Sequence, residues 1–391
     1  IMIEDARRIP TPAPEDPESE GRDLRPRIVI SSAEATVVDR ALAAIRKAPE
    51  LYVRGGNLVR IKTDEHERCT IETCPETEIR RLLSREINWV RIKTVPDGPP
   101  VETPASPPVH VSKQIATLGE FAEFRGLVGV SGTPILRPDG TIASDSGFDP
   151  ASRWLLRIPA SLSVAVPDRP TPEDTADALA RLYDVLRDFP FAKPTHESAA
   201  LAFLLTMVAR THFRGPSPLF LVTGSTAAAG KGLLIKCMTL IAHGVLPDSL
   251  PYSGEEEETR KRITSILSVG ALSVMLDNIP NGQRLGNAIL DSLLTATEWT
   301  DRPLGSTAIL RLPALAVWSA TGNNIGVRGD MVRRAIPIRL EPKVARPEER
   351  TGLRDLEAYV LANRSQLLSD ALTVLRAFLV QGEPAGHGLS A

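Results

Sequence analysis

The chain has 391 residues, 42% hydrophobic and 24% charged, a composition that argues against wholesale disorder and gives room for two or three domains. No apolar run approaches the roughly 20 residues of a membrane span, and the opening segment lacks the apolar core of a secretory signal, so a cytoplasmic protein with no membrane partner is expected. A formal net charge of -2 excludes a general pull toward nucleic acid and confines any such contact to local patches.

Residues 1–25 are rich in Pro, Glu, Asp and Arg without apolar periodicity and read as a flexible leader. From 26 to 165 the pattern is that of an N-terminal mixed α/β module: IVI, a helix through Val37 to Ile45, and LYVRGGNLVRI, where Gly55, Gly56 and Asn57 mark a turn between two strands. His66, Cys69 and Cys74 lie close together, but structural zinc needs four ligands and the spacing fits no common finger. A strand pair carrying two small thiols is the plainer reading, and three cysteines in all fit a reducing compartment. The proline-rich stretch near 94–108 reads as a linker. Pro138-Asp139-Gly140 and Phe148-Asp149-Pro150 then punctuate short apolar runs and predict a meander.

A core is expected over 166–344, with a helical lead-in. Thr171-Pro172-Glu173-Asp174 supplies a cap, a proline at the first helical position and an acid three residues on, ahead of Ala178, Leu179, Leu182 and Leu186 at helical spacing. The following SAALAFLLTMVAR is apolar on nearly all sides and predicts a buried helix. LFLV, a small-residue loop and an apolar helix then occur in the order a phosphate-binding loop requires. Gly224, Ser225, Thr226, Ala227, Ala228, Ala229 and Gly230 let backbone N–H groups approach phosphate oxygens, Lys231 supplies full charge, and Gly232 and Leu233 open the helix. The match departs from the common pattern at both ends. Ser225 stands where the first glycine is usual, with Gly224 one earlier, and Gly232 replaces the hydroxyl residue that touches Mg²⁺. A plain structural turn is the competing reading.

ALSVMLDN reads as a buried strand ending in Asp277, the candidate acid for a magnesium-bound water; a core strand stopped by the polar pair Asp277-Asn278 is the alternative. ALAVWSAT ends in Gly322-Asn323-Asn324, where amides are placed to sense a γ phosphate or simply to turn the chain. Between them, TEWTDRPLGSTAILRLP reads as a β-hairpin around Gly305-Ser306, with Arg302 and Arg311 its only basic residues. GDMVRRAIPIRL offers Arg333 and Arg334 before another apolar run, either as a guanidinium reaching a neighbouring subunit or as solvated surface charge. Helices are expected over 345–391 from Leu353, Leu356 and Val360, and from Leu368, Leu372, Leu375 and Leu379. The chain's first and last residues look like those of a segment of something longer.

Over roughly residues 110–380 these parts, with GTPILRPDG, EEETRKRITSIL, LTATEWTDRPLG, ATGNN and GDMVRR, resemble the AAA+ motor of mobile-element helicases similar to superfamily 3 and MCM helicases, including replication proteins of staphylococcal cassettes. The resemblance implies an α/β P-loop ATPase with C-terminal helices that uses ATP and Mg²⁺ and unwinds DNA as a ring, a hexamer on single-stranded or forked DNA, for a mobile element or phage. It makes Lys231 the phosphate-binding lysine, Asp277 the Walker B acid, Asn323 or Asn324 the sensor, and Arg334, or else Arg333, the arginine finger. It also puts the hairpin, with Arg302 and Arg311, in the pore against DNA. Asn278 stands where a second acid is usual, leaving Glu298 or one of Glu255 to Glu258 to polarise water. A non-helicase AAA+ loader or defence regulator, and a nucleotide-binding scaffold with little turnover, are the other functions the sequence allows.

Overall fold

Residues 24–48, 51–65, 68–96, 98–302, 309–342 and 354–381 are described by a computed structural model; most of the expected leader, His66, Gly305 and Ser306 lie outside the described residues. The chain divides into two compact units, Ile1–Ala48 with Pro75–Thr117, and Pro49–Cys74 with Leu118–Ala391.

In the first unit the strand Arg27–Val29 runs parallel to Asn88–Lys93, which pairs antiparallel with Val101–Pro104. Three helices, Glu34–Ile45, Glu76–Glu86 and Val109–Thr117, bury Val37, Ala41, Ile45, Ile79, Leu83, Val111 and Ile115. The proline-rich stretch is therefore not purely a linker. Val101–Pro104 is an edge strand, a position at which a proline costs no ladder hydrogen bond, and the Ala105 N–H donates to the Trp89 carbonyl (2.9 Å).

The second unit departs from the expected boundary near 165, because residues 51–73 and 118–165 group with the core rather than with the first unit. The physical reason is shared burial. The meander Leu51–Arg54, Asn57–Thr63 and Cys69–Thr73 contributes Tyr52, Val59 and Ile71 to a cluster completed by Leu127, Val130 and Leu155. Of the two thiols, Cys74 is buried and Cys69, on the strand Cys69–Thr73, is only half-buried. The glycine turn forms as expected, with Gly55 at φ 59° and Gly56 at φ 79°. Hairpins follow around Asp139-Gly140 (Ile135–Leu136 with Ile142–Ala143) and after Phe148 (Gly147–Asp149 with Trp154–Leu156). The last strand also runs parallel to Gly129–Ser131, a pairing that the hairpin signals alone do not convey.

The core is a five-stranded parallel sheet in the order Asp248–Pro251, Ser273–Ile279, Val317–Asn323, Leu219–Gly224, Ala335–Leu340. All five strands point the same way, so their carboxyl ends share one edge and their amino ends the other. Helix Pro172–Leu186 begins with the reciprocal Thr171–Asp174 capping box and buries Ala178, Leu182 and Leu186. Pro194–Ala209 is buried through Phe203, Leu204 and Met207, and the loop helix Lys231–His243 through Leu234, Ile235 and Ile241. Helices Leu356–Ala362 and Arg364–Gln381 join the same cluster by Leu356, Val360, Leu368 and Leu372, and Arg181 pairs with the buried Asp370 (2.8 Å). This is the α/β core, a parallel sheet with flanking and C-terminal helices, expected from the sequence. No helix among the described residues is long and apolar enough to cross a membrane.

Candidate active site

The strand Leu219–Gly224 is buried along its whole length and delivers the small-residue loop to the carboxyl edge of the sheet. Ala228 (φ 55°) and Gly230 (φ 88°) both take left-handed backbone, and at Gly230 that conformation caps the loop helix, whose first residue is Lys231. A β-branched residue at Gly230 would be strained there. The helix therefore starts with its unpaired N–H groups and partial positive charge directed at the loop. Ser225, Ala227 and Ala228 are exposed, Thr226 and Gly232 half-buried, and Ala229 buried. A side chain at Gly232 would meet nothing within 4 Å, so the space beside a bound phosphate is open where a hydroxyl is usual.

Lys231 Nζ donates to the Thr226 carbonyl (2.7 Å) and to Asn323 Oδ1 (2.8 Å). Partial burial pushes its ammonium below the ordinary lysine value. The structure thus joins the loop lysine to one of the two candidate amides and separates the other. Asn324, exposed and at φ 51°, donates its backbone N–H to the Gly224 carbonyl (2.9 Å) and its side-chain amide to Asn281 (3.1 Å). Strand register explains the split. Gly224 pairs with Asn323 across the parallel ladder, so Asn323 is the last ladder residue beside the loop and Asn324 turns the chain away.

Asp277 lies on Ser273–Ile279, one strand beyond Val317–Asn323. A register shift between Leu276 and Ile279 interrupts the ladder there, with Asn278 left-handed (φ 56°) and exposed. The bulge re-aims the acid. Asp277 Oδ1 accepts from the Thr321 hydroxyl (2.8 Å), a partner that the sequence reading did not single out. Asn278 is exposed, and the Lys231 hydrogen bonds among the described residues go to Thr226 and Asn323 instead.

Of the acids proposed to polarise water, Glu298 pairs in register with Pro313, four residues before Val317, and so belongs to the amino edge of the sheet, away from the loop. The run Glu255 to Glu258, which opens helix Glu256–Ser268, follows Pro251, itself paired with Asp277, and so sits at the correct edge. Within it, Glu257 is engaged by Arg260 (2.8 Å) and Glu258 by Arg262 (2.7 Å). Glu255 and Glu256 have no ion pair among the described residues.

The residues fit a nucleotide and its cation. Lys231 meets only neutral oxygens, the Thr226 hydroxyl is buried without a partner, and Asp277 takes one hydrogen bond, leaving its second oxygen for an ion or a bound water. Among the described residues no group of three His, Cys, Asp or Glu side chains is placed to hold a metal. A cation here would rely on Asp277, phosphate oxygens and water, as magnesium commonly does.

The hairpin forms from Glu298–Asp301 and Leu310–Pro313, antiparallel, with its tip outside the described residues. Alternation fixes its faces. Trp299 and Leu312 are buried, with Trp299 Nε1 donating to Thr264 Oγ1 (2.9 Å), and Asp301 pairs with Arg260 of the same helix. Arg302 and Arg311 are exposed. Arg333 is also exposed and pairs with Asp330 (3.0 Å). Arg334 is half-buried, paired with Asp291 (2.7 Å), and its carbonyl accepts from the Leu219 N–H (2.8 Å) at the start of the loop strand. Both arginines therefore stand at the amino edge, about six strand residues or roughly 20 Å from their own loop.

No protein-family model matches the chain, and no curated protein does. Among solved structures it is similar to the apo NrS-1 C-terminal region, with TM-score 0.38 and 12% identity over 82% of this chain and 68% of that one. It is also similar to the JCV helicase, with TM-score 0.28 and 14% identity over 53% and 61%. A third similar structure is SCCmec type IV Cch, described as an active helicase, with TM-score 0.31 and 11% identity over 85% and 65%.

Proposed function

We propose that the chain is the ATP-hydrolysing motor of a ring-forming DNA helicase, akin to superfamily 3 and MCM motors, that works in the cytoplasm on single-stranded or forked DNA in the replication of a mobile element or phage. The observation that carries this reading is the division of labour across one sheet. The phosphate loop, Lys231, Asn323 and Asp277 gather at the carboxyl edge, while the hairpin and Arg334 gather at the amino edge. An arginine that cannot reach its own loop is useful for hydrolysis only across a subunit boundary, which calls for an oligomer, a hexamer by resemblance. In this reading loop N–H groups and Lys231 hold the β and γ phosphates, Asn323 keeps Lys231 aimed, and Thr321 fixes the carboxylate of Asp277. Bound Mg²⁺ would neutralise phosphate charge beside Asp277. Strand displacement on a forked duplex, dependent on hydrolysable ATP, is the expected activity; ATP turnover without unwinding would favour a loader or regulator instead.

A nucleotide-binding scaffold with little turnover is the second reading, favoured by Asn278 in place of an acid and by its exposure. Steady-state hydrolysis separates the two.

The hairpin is assigned to DNA. Arg302→Ala combined with Arg311→Ala should weaken binding to single-stranded DNA and lower the slope of log affinity against log salt by about 1.4, since each phosphate contact on a single strand contributes about 0.7. Both side chains are exposed, so the fold should be unaffected. Equal affinity of variant and parent across the salt series would return the hairpin to a purely structural role.

A further inference from the structure

A cavity of about 430 Å³ lies beside the hairpin, between the Gly55 turn, the segment 126–128 and the strand Leu310–Pro313. Its volume falls in the range of ligand sites, roughly 300–1,000 Å³. Arg54, Arg153 and Arg311 line it against a single acid, Glu298. Its walls are fixed by backbone. The Val53 N–H donates to the Arg125 carbonyl (2.9 Å), Leu127 to Val53 (2.8 Å) and Val128 to Arg153 (2.9 Å). Gly55, at φ 59°, lies so near the hairpin that an added Cβ would stand 2.8 Å from the Arg311 carbonyl, which allows only glycine there.

The three arginines are not spent on acids. Arg54 is buried and donates to the carbonyls of Leu267 (3.0 Å) and Ser268 (3.0 Å) at the end of helix Glu256–Ser268. Burial pushes its guanidinium down to about 10, which leaves it charged at neutral pH, and it has no ion pair among the described residues. Arg153 and Arg311 are exposed and have no ion pair among the described residues. Arg153 takes left-handed backbone (φ 61°), a conformation that is strained for a residue with a Cβ. It is held there by its N–H to the Asp149 carbonyl (2.8 Å), next to the Arg137–Asp149 ion pair (3.0 Å). That backbone sends the Arg153 guanidinium over Gly126, where an added Cβ would lie 3.6 Å from Nη1. Left-handed backbone is thus retained at a charged side chain that lines the cavity and has no ion pair among the described residues.

We propose that this cavity is a phosphate-binding extension of the hairpin, in which Arg153 and Arg311 grip the sugar-phosphate backbone of a single nucleic-acid strand over the buried charge of Arg54. The site rests on the DNA reading above and adds to it a second contact surface, outside the hairpin tip. A polyanionic strand fits better than a free phosphate, because Arg54, Arg153 and Arg311 come from three separate segments along the wall.

The test is binding of fluorescent oligo-dT to the full chain over a salt series from about 50 to 200 mM, using Arg153→Asn and Glu298→Gln. Asparagine tolerates left-handed backbone, so Arg153→Asn removes charge without forcing the turn. Arg153→Asn should weaken binding several-fold to about ten-fold at low salt and lower the salt slope by about 0.7, with ATP hydrolysis in the absence of DNA unchanged. Glu298→Gln should tighten binding, an opposite sign that damage to the fold would not produce. A parent that binds oligo-dT while both variants keep its affinity and slope overturns the cavity alone. A parent that does not bind overturns the DNA reading and the cavity with it.

Discussion

Lys231→Ala should abolish ATP turnover, by at least about a hundred-fold, while the protein remains folded and cooperative in thermal unfolding. The lysine is the only full positive charge in the loop and is held for its task at both ends. Its stem leaves the first residue of the loop helix, and its ammonium is stationed by the Thr226 carbonyl and Asn323 Oδ1. Partial burial raises the strength of any charge pair it makes with phosphate, because water screens it less. Truncation loses two hydrogen bonds at a site open to solvent on its loop side, a cost of about 1 kcal/mol each, small against the stability of a core that buries Phe203, Phe220, Ile235 and Leu340. The relevant measurements are steady-state phosphate release and a melting curve. Hydrolysis at the parental rate would remove Lys231 from the chemistry. A large loss of melting temperature would make it a structural residue. Asn323→Ala should give a milder loss of turnover, since the amide aims the lysine but carries no charge.

The loop was legible because its signal is local. A buried run, small residues and a helix in sequence order specify strand, turn and helix dipole without any distant partner, and the capping box at Thr171 and Asp174 is legible for the same reason. Choices that depend on register were not. The order Gly322-Asn323-Asn324 offers two amides, and only the pairing of Gly224 with Asn323 assigns one to Lys231. Thr321 reads as one more strand residue until the bulge at Asn278 turns Asp277 toward it. Glu298 seemed available to polarise water because its distance along the chain says nothing of which edge of the sheet it occupies. Composition is incomplete at 94–108, where a short edge strand that ends on Pro104 lies among the prolines. Arg153 does lie in the turn that follows Phe148-Asp149-Pro150, but no local signal announces its left-handed backbone. Its N–H bonds the Asp149 carbonyl within the turn, while its carbonyl accepts from the Val128 N–H in another part of the chain.

Arg334→Ala should lose about a thousand-fold in turnover yet bind ATP as the parent does. The expectation follows from where the residue sits. Its carbonyl bonds the first residue of the loop strand, whose last residue opens the phosphate loop, so the whole strand separates Arg334 from the nucleotide of its own subunit. An effect on hydrolysis must then cross to the next protomer, where a guanidinium stabilises charge developing on the γ phosphate. Asp291 holds the side chain half-buried, and Asp330 adds a longer contact at 3.6 Å, which presents one defined geometry rather than a waving chain. Arg333, exposed and paired only with Asp330, lacks that support and should tolerate Arg333→Ala with far smaller loss. Two controls distinguish a finger from a structural ion pair. Asp291→Asn removes the pair but keeps the guanidinium, so it should cost far less turnover than Arg334→Ala if charge on the neighbouring phosphate is what counts; equal losses would mean the pair merely holds helix Ala288–Leu293 in place. Mixing gives the second control. Subunits carrying Arg334→Ala and subunits carrying Lys231→Ala are each inactive alone, yet a mixed ring contains boundaries at which an intact loop faces an intact arginine, and those boundaries should hydrolyse ATP. Mixed rings that form, by native mass measurement, and remain inactive would show that Arg334 does not act in trans, and would pass the assignment to Arg333 or, should both fail, to the scaffold reading.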